Sequence, residues 1–403
     1  MDELNTVPAP QEEQPKPRAK RRKKPANALG RFPLYLFVFL TAVFFLLNVF
    51  TPDKERSDSE NRLLQQRPSF SVAALADGSF FEDLQNWYAD QFYNRDGWIA
   101  RNLAGQRLLG RHESGGVWLG DDGYLFAKPE EMNETLIAAK TDAMRRFAAA
   151  YPDIAMHAAI VPSSALILAD RLPDNAPCPD QLSALGAVSS AVSGAVDTVD
   201  MTAALAPHAE EYIYYKTDHH WTSLGAYYAF AEMLQPLGIG NPCSYQVYTV
   251  ATDFEGTLSS ESGSHKSRDT VDIYVPTDTD VLFYVNYPDA GEKSRSMYKS
   301  ACLEEKDKYT VFFGGNHPLV EIATTCNNDR CLLVFKDSYA NCFMQFLTPY
   351  FEKILMVDPR YYYDDLRLLI SSENVTDVLY LYSADTFMTD TSLTDVLVSA
   401  AGS

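Results

Sequence analysis

Three side chains of this sequence, Asp218, His220 and Ser338, are of the types that acyl transfer by a serine nucleophile requires. In such chemistry a carboxylate orients an imidazole, the imidazole takes the proton of a serine hydroxyl, and the hydroxyl oxygen attacks an ester carbonyl. Asp218 and His220 lie two residues apart in the run 217–222, and Ser338 follows far downstream in the run 335–339. These residue types predict an enzyme with a Ser-His-Asp triad.

Ser338 occupies the point at which a buried strand is predicted to end and a helix to begin. Residues 331–335 form an uninterrupted apolar run, and a helical pattern follows over 338–351. A nucleophile at such a junction lies at the carboxyl end of a strand, where the first N–H groups of the new helix can stabilise an oxyanion. Serine is also a common N-cap, so helix capping alone is the alternative for Ser338.

His220 is the predicted general base, and Asp218 is the group that orients it and stabilises the imidazolium. An Asp two residues before a His can bond it across a tight turn, which leaves the far ring nitrogen to face the serine. His219 is the competing base, but adjacent side chains diverge, so only one of the two should point into the site. Trp221 is expected to pack beneath the histidine. A capped turn with two structural histidines is the alternative that these residues leave open.

Gly315 and Asn316 are candidates for an oxyanion or substrate-binding site. They follow the apolar run 309–313, which we predict to be a strand, so they would also lie at a strand end. Glycine permits close backbone approach to a ligand, and an Asn amide can donate to an oxyanion. A plain Gly-Gly-Asn turn is the alternative. Tyr339, beside the serine, is a further candidate for contact with the substrate.

No metal site and no cofactor is predicted. His219 and His220 are adjacent and cannot easily share one ion, and no other Cys or His pair has the spacing of zinc ligands. In an exported domain an even number of cysteines permits disulfides, while thiols buried as small apolar side chains are the alternative. The six cysteines are Cys178, Cys243, Cys302, Cys326, Cys331 and Cys342.

The N-terminal residues predict a membrane anchor behind a cytoplasmic tail. Residues 1–31 hold eight Lys or Arg and four Asp or Glu, and this Pro-rich, charged segment is predicted to be disordered. Residues 32–50 carry no charge, and a helix of this length would span about 28 Å, close to the roughly 30 Å hydrocarbon core. The positive-inside rule would keep the tail in the cytoplasm and place residues 52–403 outside the cell. A cleaved signal peptide is the alternative, although no small-x-small cleavage site follows.

The charge of the chain argues against nucleic acid as a partner. The net charge is −20, and residues 1–31 contribute +4, so residues 32–403 carry −24. Phosphate binding depends on clustered Lys and Arg, which this acidic body does not offer. With 403 residues, 46% of them hydrophobic, the chain can bury one large core with or without a smaller module.

From about residue 135 the sequence alternates between helical and extended runs. Repeated β-α units predict an α/β domain over 127–403 with a parallel sheet flanked by helices, and ligands bind such sheets at the carboxyl ends of strands. Residues 253–300, with short β-rich runs, are predicted to be an insertion. Residues 51–126 are predicted to be an extracytoplasmic connector, in which 80–92 have the apolar spacing of a helix face and 115–126 the pattern of a hairpin.

The tetrapeptide Asp218-His219-His220-Trp221 resembles the motif that names the DHHW proteins of Gram-positive bacteria, relatives of the alginate O-acetyltransferases and of the SGNH-hydrolase superfamily. Further segments that resemble this family are Glu60-Asn61-Arg62, Asp90-Gln91-Phe92, Gly123-Tyr124-Leu125-Phe126, Phe254-Glu255-Gly256-Thr257 and Lys336-Asp337-Ser338-Tyr339. The resemblance implies an extracytoplasmic SGNH-like α/β domain with Asp218, His220 and Ser338 as its triad. The chain departs from the superfamily pattern because Lys336 replaces the Gly of a Gly-Asp-Ser block and the Asp-His pair precedes the Ser.

Residues and resemblance together predict a serine O-acyltransferase or O-acylesterase, anchored in the bacterial plasma membrane, that moves an acetyl group on a cell-surface polysaccharide. Resemblance to the alginate system implies a multi-pass membrane acyltransferase as the supplier of acyl groups. The acidic body favours a neutral or cationic polymer over a polyanion. The alternative is a non-catalytic glycan-binding or envelope-assembly protein on an SGNH-like scaffold, because aromatic rings stack on sugars whether or not a triad works.

Overall fold

The computed structural model describes residues 28–402. The predicted disordered tail, residues 1–31, therefore lies almost entirely outside the described residues. The chain forms two compact units. One comprises the residues up to Lys54 together with Gln65–Tyr93, and the other comprises Glu55–Leu64 and the residues from Asn94 onward.

The first unit contains three helices: α1 (Ala28–Phe50), α2 (Val72–Asp77) and α3 (Ser79–Asp90). The segment Arg31–Phe50 has a mean hydropathy of 2.2 and is not buried. By length and composition α1 is the one helix among residues 28–402 that can cross a membrane, and a signal sequence would pass the same test. Ser71 caps the start of α2, and Gly78, at φ +88°, supplies the left-handed residue that separates α2 from α3.

The second unit contains the other helices and all the strands of the described residues. Its α-helices are α4 (Arg95–Leu108), α5 (Glu134–Ala150), α6 (Ser164–Ile167), α7 (Gln181–Val192), α8 (Met201–Leu205), α9 (Ser223–Met233), α10 (Thr257–Ser262), α11 (Tyr339–Leu347), α12 (Leu366–Glu373), α13 (Ala384–Thr389) and α14 (Ser392–Ala401). Its strands are β1 (Arg56–Ser57), β2 (Arg62–Leu63), β3 (Glu113–Ser114), β4 (Val117–Leu119), β5 (Leu125–Ala127), β6 (Ala155–Val161), β7 (Asp197–Thr198), β8 (Tyr245–Phe254), β9 (Asp269–Pro276), β10 (Phe283–Tyr287), β11 (Glu292–Ser294), β12 (Leu319–Thr324), β13 (Cys331–Lys336), β14 (Lys353–Val357) and β15 (Asp377–Ser383).

An eight-stranded sheet in the order β11-β10-β12-β14-β13-β15-β6-β7 lies at the centre of the second unit. The strands from β14 to β7 in this order run parallel to one another, as expected for repeated β-α units. At the other edge β10, β11 and β12 pair antiparallel, so the predicted parallel sheet is corrected to a mixed α/β sheet. Only residues 288–291 connect β10 to β11, and so short a link permits a hairpin but no helical crossover.

The inner strands β13 and β15 are buried along their whole length, which is why both read as continuous apolar runs. On one face, Leu332 and Val334 pack into a core that includes residues of α9 and α11. On the other face, Leu333 and Phe335 pack with residues of α5, α7 and α14. Because β13 and β15 are parallel neighbours, their carboxyl ends meet at one edge of the sheet.

The run 309–313 is not the strand that its residue types predict. Lys308–Val311 form a 3-10 turn, and Phe312 makes only an isolated bridge with Tyr298. The rings of Tyr309, Phe312 and Phe313 are buried in the core. Burial of aromatic rings, rather than strand pairing, therefore explains the apolar character of this run.

Residues 253–300 contain strands of two different sheets. The long strands β8 and β9 pair antiparallel in a two-stranded sheet of their own, while β10 and β11 extend the central sheet. Within residues 115–126, β4 and the start of β5 pair antiparallel on either side of a short turn.

All six cysteines are unpaired in the structure. Cys331 and Cys342 are buried within the core and pack as small apolar side chains. Of the two alternatives that the sequence leaves open, the structure shows free thiols.

Candidate active site

The Asp-His segment is a tight loop between two residues that pair in an antiparallel bridge. Tyr214 and Trp221 form an isolated bridge, and the residues between them loop out from it. Asp269, the first residue of β9, is buried and accepts hydrogen bonds from the N–H groups of Lys216 (2.8 Å) and Thr217 (2.7 Å). Those bonds satisfy backbone N–H donors that have no partner within the loop, and they fix the shape of the turn.

Asp218 is buried and held in a single orientation. Its Oδ1 lies 2.5 Å from His220 Nδ1 and accepts from the backbone N–H of His220 at 3.1 Å. Its Oδ2 accepts from the backbone N–H (3.0 Å) and the hydroxyl (3.2 Å) of Thr257. Gly256 leaves room for these contacts, because a Cβ at that position would lie 2.3 Å from Asp218 Cβ. The carboxylate therefore has partners on both oxygens and aims one of them at the imidazole.

Ser338 Oγ lies 2.8 Å from His220 Nε2. An ionised Asp218 can only accept, so Nδ1 of a neutral His220 carries the ring proton and Nε2 accepts from the serine hydroxyl. Ser338 makes no side-chain capping bond to α11, whereas Asp337 Oδ1 accepts from the N–H of Tyr339 at 3.0 Å. Asp337 thus supplies a bond to the start of α11, and the Ser338 hydroxyl is directed to His220.

Two neighbours hold the His220–Ser338 pair in place. The ring of Tyr309 stacks on His220 with 3.8 Å between centroids and 14° between planes, and its hydroxyl donates to the Ser338 carbonyl at 2.8 Å. Asp337 Oδ2 accepts from the N–H (3.0 Å) and the hydroxyl (2.6 Å) of Ser383. The ends of β13 and β15 are therefore tied together directly beside the serine.

His219 has a different partner from His220. Its Nδ1 lies 2.9 Å from Thr257 Oγ1, and its side chain is 40% exposed, against 7% for His220. Of the two adjacent histidines, His220 is the one that contacts Ser338. His219 lies at the solvent-accessible rim of the site, where it can meet a substrate.

The electrostatics of the pair set the protonation states. Burial alone would raise the pKa of Asp218. The positive charges of His219 and His220 when they are protonated, and the hydrogen bonds that Asp218 accepts, outweigh burial and hold this pKa well below its ordinary value. Burial lowers the pKa of His220 and the charge of His219 lowers it further, while Asp218 opposes both. At neutral pH His220 is therefore neutral and Asp218 ionised, which are the states that general-base catalysis requires.

We expect kcat/KM for ester hydrolysis to keep its full value to a pH below 6.5, the ordinary pKa of histidine. His220 acts as a base only while neutral, so its lowered pKa moves the loss of activity to more acid pH. A pH profile with a small aryl acetate measures this. His219→Gln should move the acid limb to higher pH, because it removes a charge that lowers the pKa of His220. An acid limb at or above pH 6.5 in the unaltered chain would assign the base to another group.

Asn316 lies in an exposed loop, which corrects its predicted place at a strand end. The chain reaches it through Gly314 and Gly315, whose φ angles of +81° and +112° favour glycine. Lys336 Nζ donates to Asn316 Oδ1 at 2.8 Å, and Asn341 Nδ2 donates to the same oxygen at 3.2 Å. Because an ammonium can only donate, the amide oxygen must face Lys336. Asn316 Nδ2 has no hydrogen-bond partner among residues 28–402 and is left to donate to a ligand.

Lys336 is a buried lysine whose role the sequence did not indicate. Besides Asn316, its Nζ donates to Asn341 Oδ1 at 3.0 Å and lies 3.7 Å from Asp358 Oδ2. Burial lowers the pKa of Lys336 to about 8, although the charge of Asp358 opposes the shift. Lys336 therefore remains mainly charged at neutral pH and fixes the orientation of the Asn316 amide.

Tyr339 does not fit its predicted role as a substrate contact. It is 4% exposed, its hydroxyl donates to the carbonyl of His219, and its own carbonyl accepts from Trp221 Nε1 at 2.9 Å. Trp221 is fully buried and stacks on Phe343. Tyr339 and Trp221 thus form the scaffold under the histidines. The carbonyl of Gly315, the remaining candidate, accepts from Asn341 Nδ2 at 3.4 Å.

Four residues that position the site were missed as functional residues: Thr257, Asp269, Tyr309 and Lys336. Thr257 and Lys336 lie in segments that resemble the DHHW family, and that resemblance is the signal that could identify them. Asp269 and Tyr309 carry no local signal, because their contacts to the Asp-His turn and to Ser338 depend on the tertiary fold.

Asp218, His219 and His220 offer ligand atoms within 4.8 Å of one another, a geometry that could hold a metal ion. His220, however, uses both ring nitrogens in its bonds to Asp218 and Ser338. An ion bound through His220 would break one of these bonds. The arrangement is therefore better suited to proton transfer than to a three-ligand metal site.

Two solved structures share the fold of this chain. A DHHW family protein from Eubacterium siraeum has a TM-score of 0.60 and 24% identity, and the match covers 70% of this chain and 95% of that one. Bacillus cereus PatB1, solved with a sulfonyl adduct, has a TM-score of 0.59 and 19% identity, with coverage of 68% and 97%. The O-acetyltransferase domain of Pseudomonas putida AlgJ aligns with a TM-score of 0.44 and 16% identity, with coverage of 68% and 93%.

A search of the curated proteins finds no match to this chain. The family model described as "DHHW protein" matches residues 117–357, more than half of the sequence. This range contains the Asp-His turn, Ser338 and the strands β9 and β13 that adjoin them. The chain therefore belongs to the DHHW protein family.

Proposed function

We propose that this chain is a membrane-anchored serine O-acyltransferase or O-acylesterase that moves an acetyl group on a cell-surface polysaccharide. The observation that carries the proposal is the hydrogen-bonded series from Asp218 through His220 to Ser338, with links of 2.5 and 2.8 Å. An SGNH-like arrangement, with Ser338 after the carboxyl end of β13 and the Asp-His pair on a separate loop, is part of this proposal.

The chemistry proceeds in two half-reactions. In the first, Ser338 Oγ attacks the carbonyl carbon of an acetyl ester while His220 Nε2 takes the hydroxyl proton and Asp218 stabilises the imidazolium. The oxyanion can accept from Asn316 Nδ2, because Lys336 holds the amide oxygen of Asn316. Collapse of the intermediate breaks the ester bond, and the leaving alkoxide takes the proton from His220. In the second, His220 deprotonates a sugar hydroxyl or water, which attacks acetyl-Ser338. The bond between the acetyl carbon and Ser338 Oγ then breaks, and Oγ takes the proton back from His220.

A reactive nucleophile in this fold is supported by one structural relative. PatB1 carries a sulfonyl adduct, the kind of modification that an activated nucleophile undergoes. In this chain Ser338, whose Oγ lies 2.8 Å from His220 Nε2, is the nucleophile that we propose.

We propose that α1 is the membrane anchor. The basic N-terminal tail would then lie in the cytoplasm, and the larger unit would lie outside a bacterial plasma membrane. The apolar, uncovered segment Arg31–Phe50 supports this placement. An acetyl donor on the outer side of the membrane would then come from a partner, for which a multi-pass membrane acyltransferase is the class we propose.

A neutral or cationic polymer is the proposed acceptor. Beside Thr257, the residue that holds Asp218, lies a cavity of about 200 Å³. Its charged lining residues are Glu60, Glu255, Glu261, Lys306 and Asp307. Arg62 and Arg95 form ion pairs with Glu60, and Arg268 forms one with Glu255. Glu261 and Asp307 against Lys306 leave a small negative excess, which disfavours polyanionic chains.

The test is turnover of a small aryl acetate by the full chain in detergent. We expect hydrolysis and an acetyl group that can be trapped on the peptide containing Ser338 and detected by mass spectrometry. Faster release of the aryl alcohol on addition of a neutral oligosaccharide would identify a transferase. No turnover together with no labelling by a fluorophosphonate would contradict the proposal and favour a non-catalytic glycan-binding or envelope-assembly protein.

We expect Asn316→Ala to lower kcat by about 10²-fold, as loss of one oxyanion donor does, and Lys336→Met to lower kcat by about tenfold. Lys336 acts through the orientation of the Asn316 amide, so the double variant should lose no more than Asn316→Ala alone. Steady-state kinetics on the aryl acetate measure both effects.

The matched control is Lys140→Met. Lys140 is also buried, and burial lowers its pKa to about 8, but its Nζ donates to the Phe387 carbonyl. We expect this variant to change stability and to leave kcat intact. Equal effects of Lys336→Met and Lys140→Met on kcat would show that Lys336 supports only the fold.

A further inference from the structure

The first unit carries an apolar stripe on α3 that the described residues leave partly exposed. Phe81, Leu84 and Tyr88 are 60%, 36% and 51% exposed. Their spacing of three and four residues places them on one face of the helix, within about 60° at 100° per residue. The neighbouring faces carry Glu82, Asn86 and other polar side chains, so the helix is amphipathic with its apolar side partly exposed.

The stripe is continuous with a contact that the residues just after α3 make with α1. Immediately after α3, the ring of Phe92 packs on Tyr88 with 5.6 Å between centroids and on Phe44 of α1 with 6.5 Å. The N–H of Tyr93 donates to Asn48 Oδ1 at 2.9 Å. These contacts fix the end of α3 against the last two turns of α1.

The position of this contact along α1 indicates that lipid lies beside the stripe. Phe44 precedes the end of α1 at Phe50 by six residues, which is about 9 Å along a helix axis. If the apolar segment of α1 spans a bilayer, Phe92 lies about 9 Å inside the end of that segment, within the roughly 5–10 Å to which interfacial helices insert. The chain leaves α1, passes through residues 51–64, and returns to the level of the bilayer surface.

The polar contacts of the first unit agree with this position. Trp87 Nε1 donates to Asp53 Oδ2 at 2.8 Å, and the side-chain amide of Gln91 bonds both the N–H and the carbonyl of Lys54 at 2.9 Å. These hydrogen bonds lie just beyond the end of α1. Trp and Tyr side chains favour the boundary between lipid and water, which agrees with this position of Trp87.

We propose that α3 is an interfacial helix whose stripe, Phe81, Leu84 and Tyr88, is covered by the lipid surface beside α1. This inference rests on the proposed membrane anchor. It adds a second membrane contact, made by apolar and aromatic side chains on a helix whose charged residues are Glu82, Asp83 and Asp90. Binding therefore requires no anionic lipid.

The test uses the full chain in phosphatidylcholine vesicles, with tryptophan fluorescence quenched by brominated phosphatidylcholine. Three single variants are compared with the unaltered chain: Leu84→Trp in the stripe, Asn86→Trp about 200° further round the helix, and Phe39→Trp in α1. All three positions are exposed, so the new rings should be tolerated.

We expect brominated lipid to cause a loss of the added fluorescence at positions 84 and 39 and no loss at 86. Quenching at 39 without quenching at 84 would overturn the interfacial helix and leave the anchor standing. A stripe that binds a protein partner instead of lipid would give this result. Equal quenching at 84 and 86 would overturn the assignment of this face. No quenching at 39 would remove the anchor and the inference with it.

Discussion

Ser338→Ala should lower the rate of aryl acetate hydrolysis by about 10⁴-fold to 10⁶-fold, the range found when a nucleophile is removed from a triad. The variant keeps His220 and Asp218 but has no oxygen within reach of His220 Nε2. No acyl-enzyme can form, so both the acetyl adduct and fluorophosphonate labelling should disappear.

The fold should survive this change. The Ser338 hydroxyl makes one hydrogen bond and no capping bond, and the start of α11 is bonded by Asp337 instead. Loss of such a bond costs about 1 kcal/mol. Thermal unfolding followed by circular dichroism should therefore change little between the variant and the parent chain.

Ser189→Ala is the matched control. Ser189 is also half-buried and makes one side-chain hydrogen bond, to Thr198 Oγ1 at 2.6 Å, at the edge strand β7. Its loss should affect stability to a similar extent and leave hydrolysis unchanged. If the Ser338→Ala protein turns over as fast as the Ser189→Ala protein, Ser338 is not the nucleophile.

Much of the site's framework could be predicted because its signals are local. The junction at Ser338 follows from a buried apolar run that ends at a polar pair, and the structure has β13 and α11 on either side of it. The Asp-His spacing is equally local, since a two-residue separation allows the bond across the turn that the structure shows. The parallel strand β13 then places Ser338 at the edge of the sheet, whereas an isolated bridge and the bonds to Asp269 hold the Asp-His turn.

The rest depends on tertiary contacts that no local pattern encodes. Aromatic and β-branched residues at 309–313 favour a strand, but the Tyr309 ring packs on His220 and the segment forms a 3-10 turn. The apolar run 331–335 predicts a strand that ends at Lys336, because a lysine is rarely buried without partners. Its partners, Asn316, Asn341 and Asp358, come from three separate segments.

Asp218→Asn is the second change for which we expect a large effect, a loss of about 10⁴-fold in kcat. The Asn carbonyl oxygen can still accept from the N–H of Thr257, which would turn the NH2 group toward His220 Nδ1. That group donates, so the ring proton would move to Nε2 and face Ser338. An imidazole with its proton on that side cannot accept the serine proton.

Asp218→Asn should lower kcat and leave KM unchanged, because Asp218 is 2% exposed and cannot touch a substrate. Asp377→Asn is the matched control, since Asp377 is also buried and accepts from Arg330 at 2.5 Å, but at the amino end of β15. We expect Asp377→Asn to lower the free energy of unfolding without changing kcat. Equal kcat values for the two variants would exclude Asp218 as the group that orients His220, whereas a selective loss in Asp218→Asn would tie catalysis to the His220 tautomer.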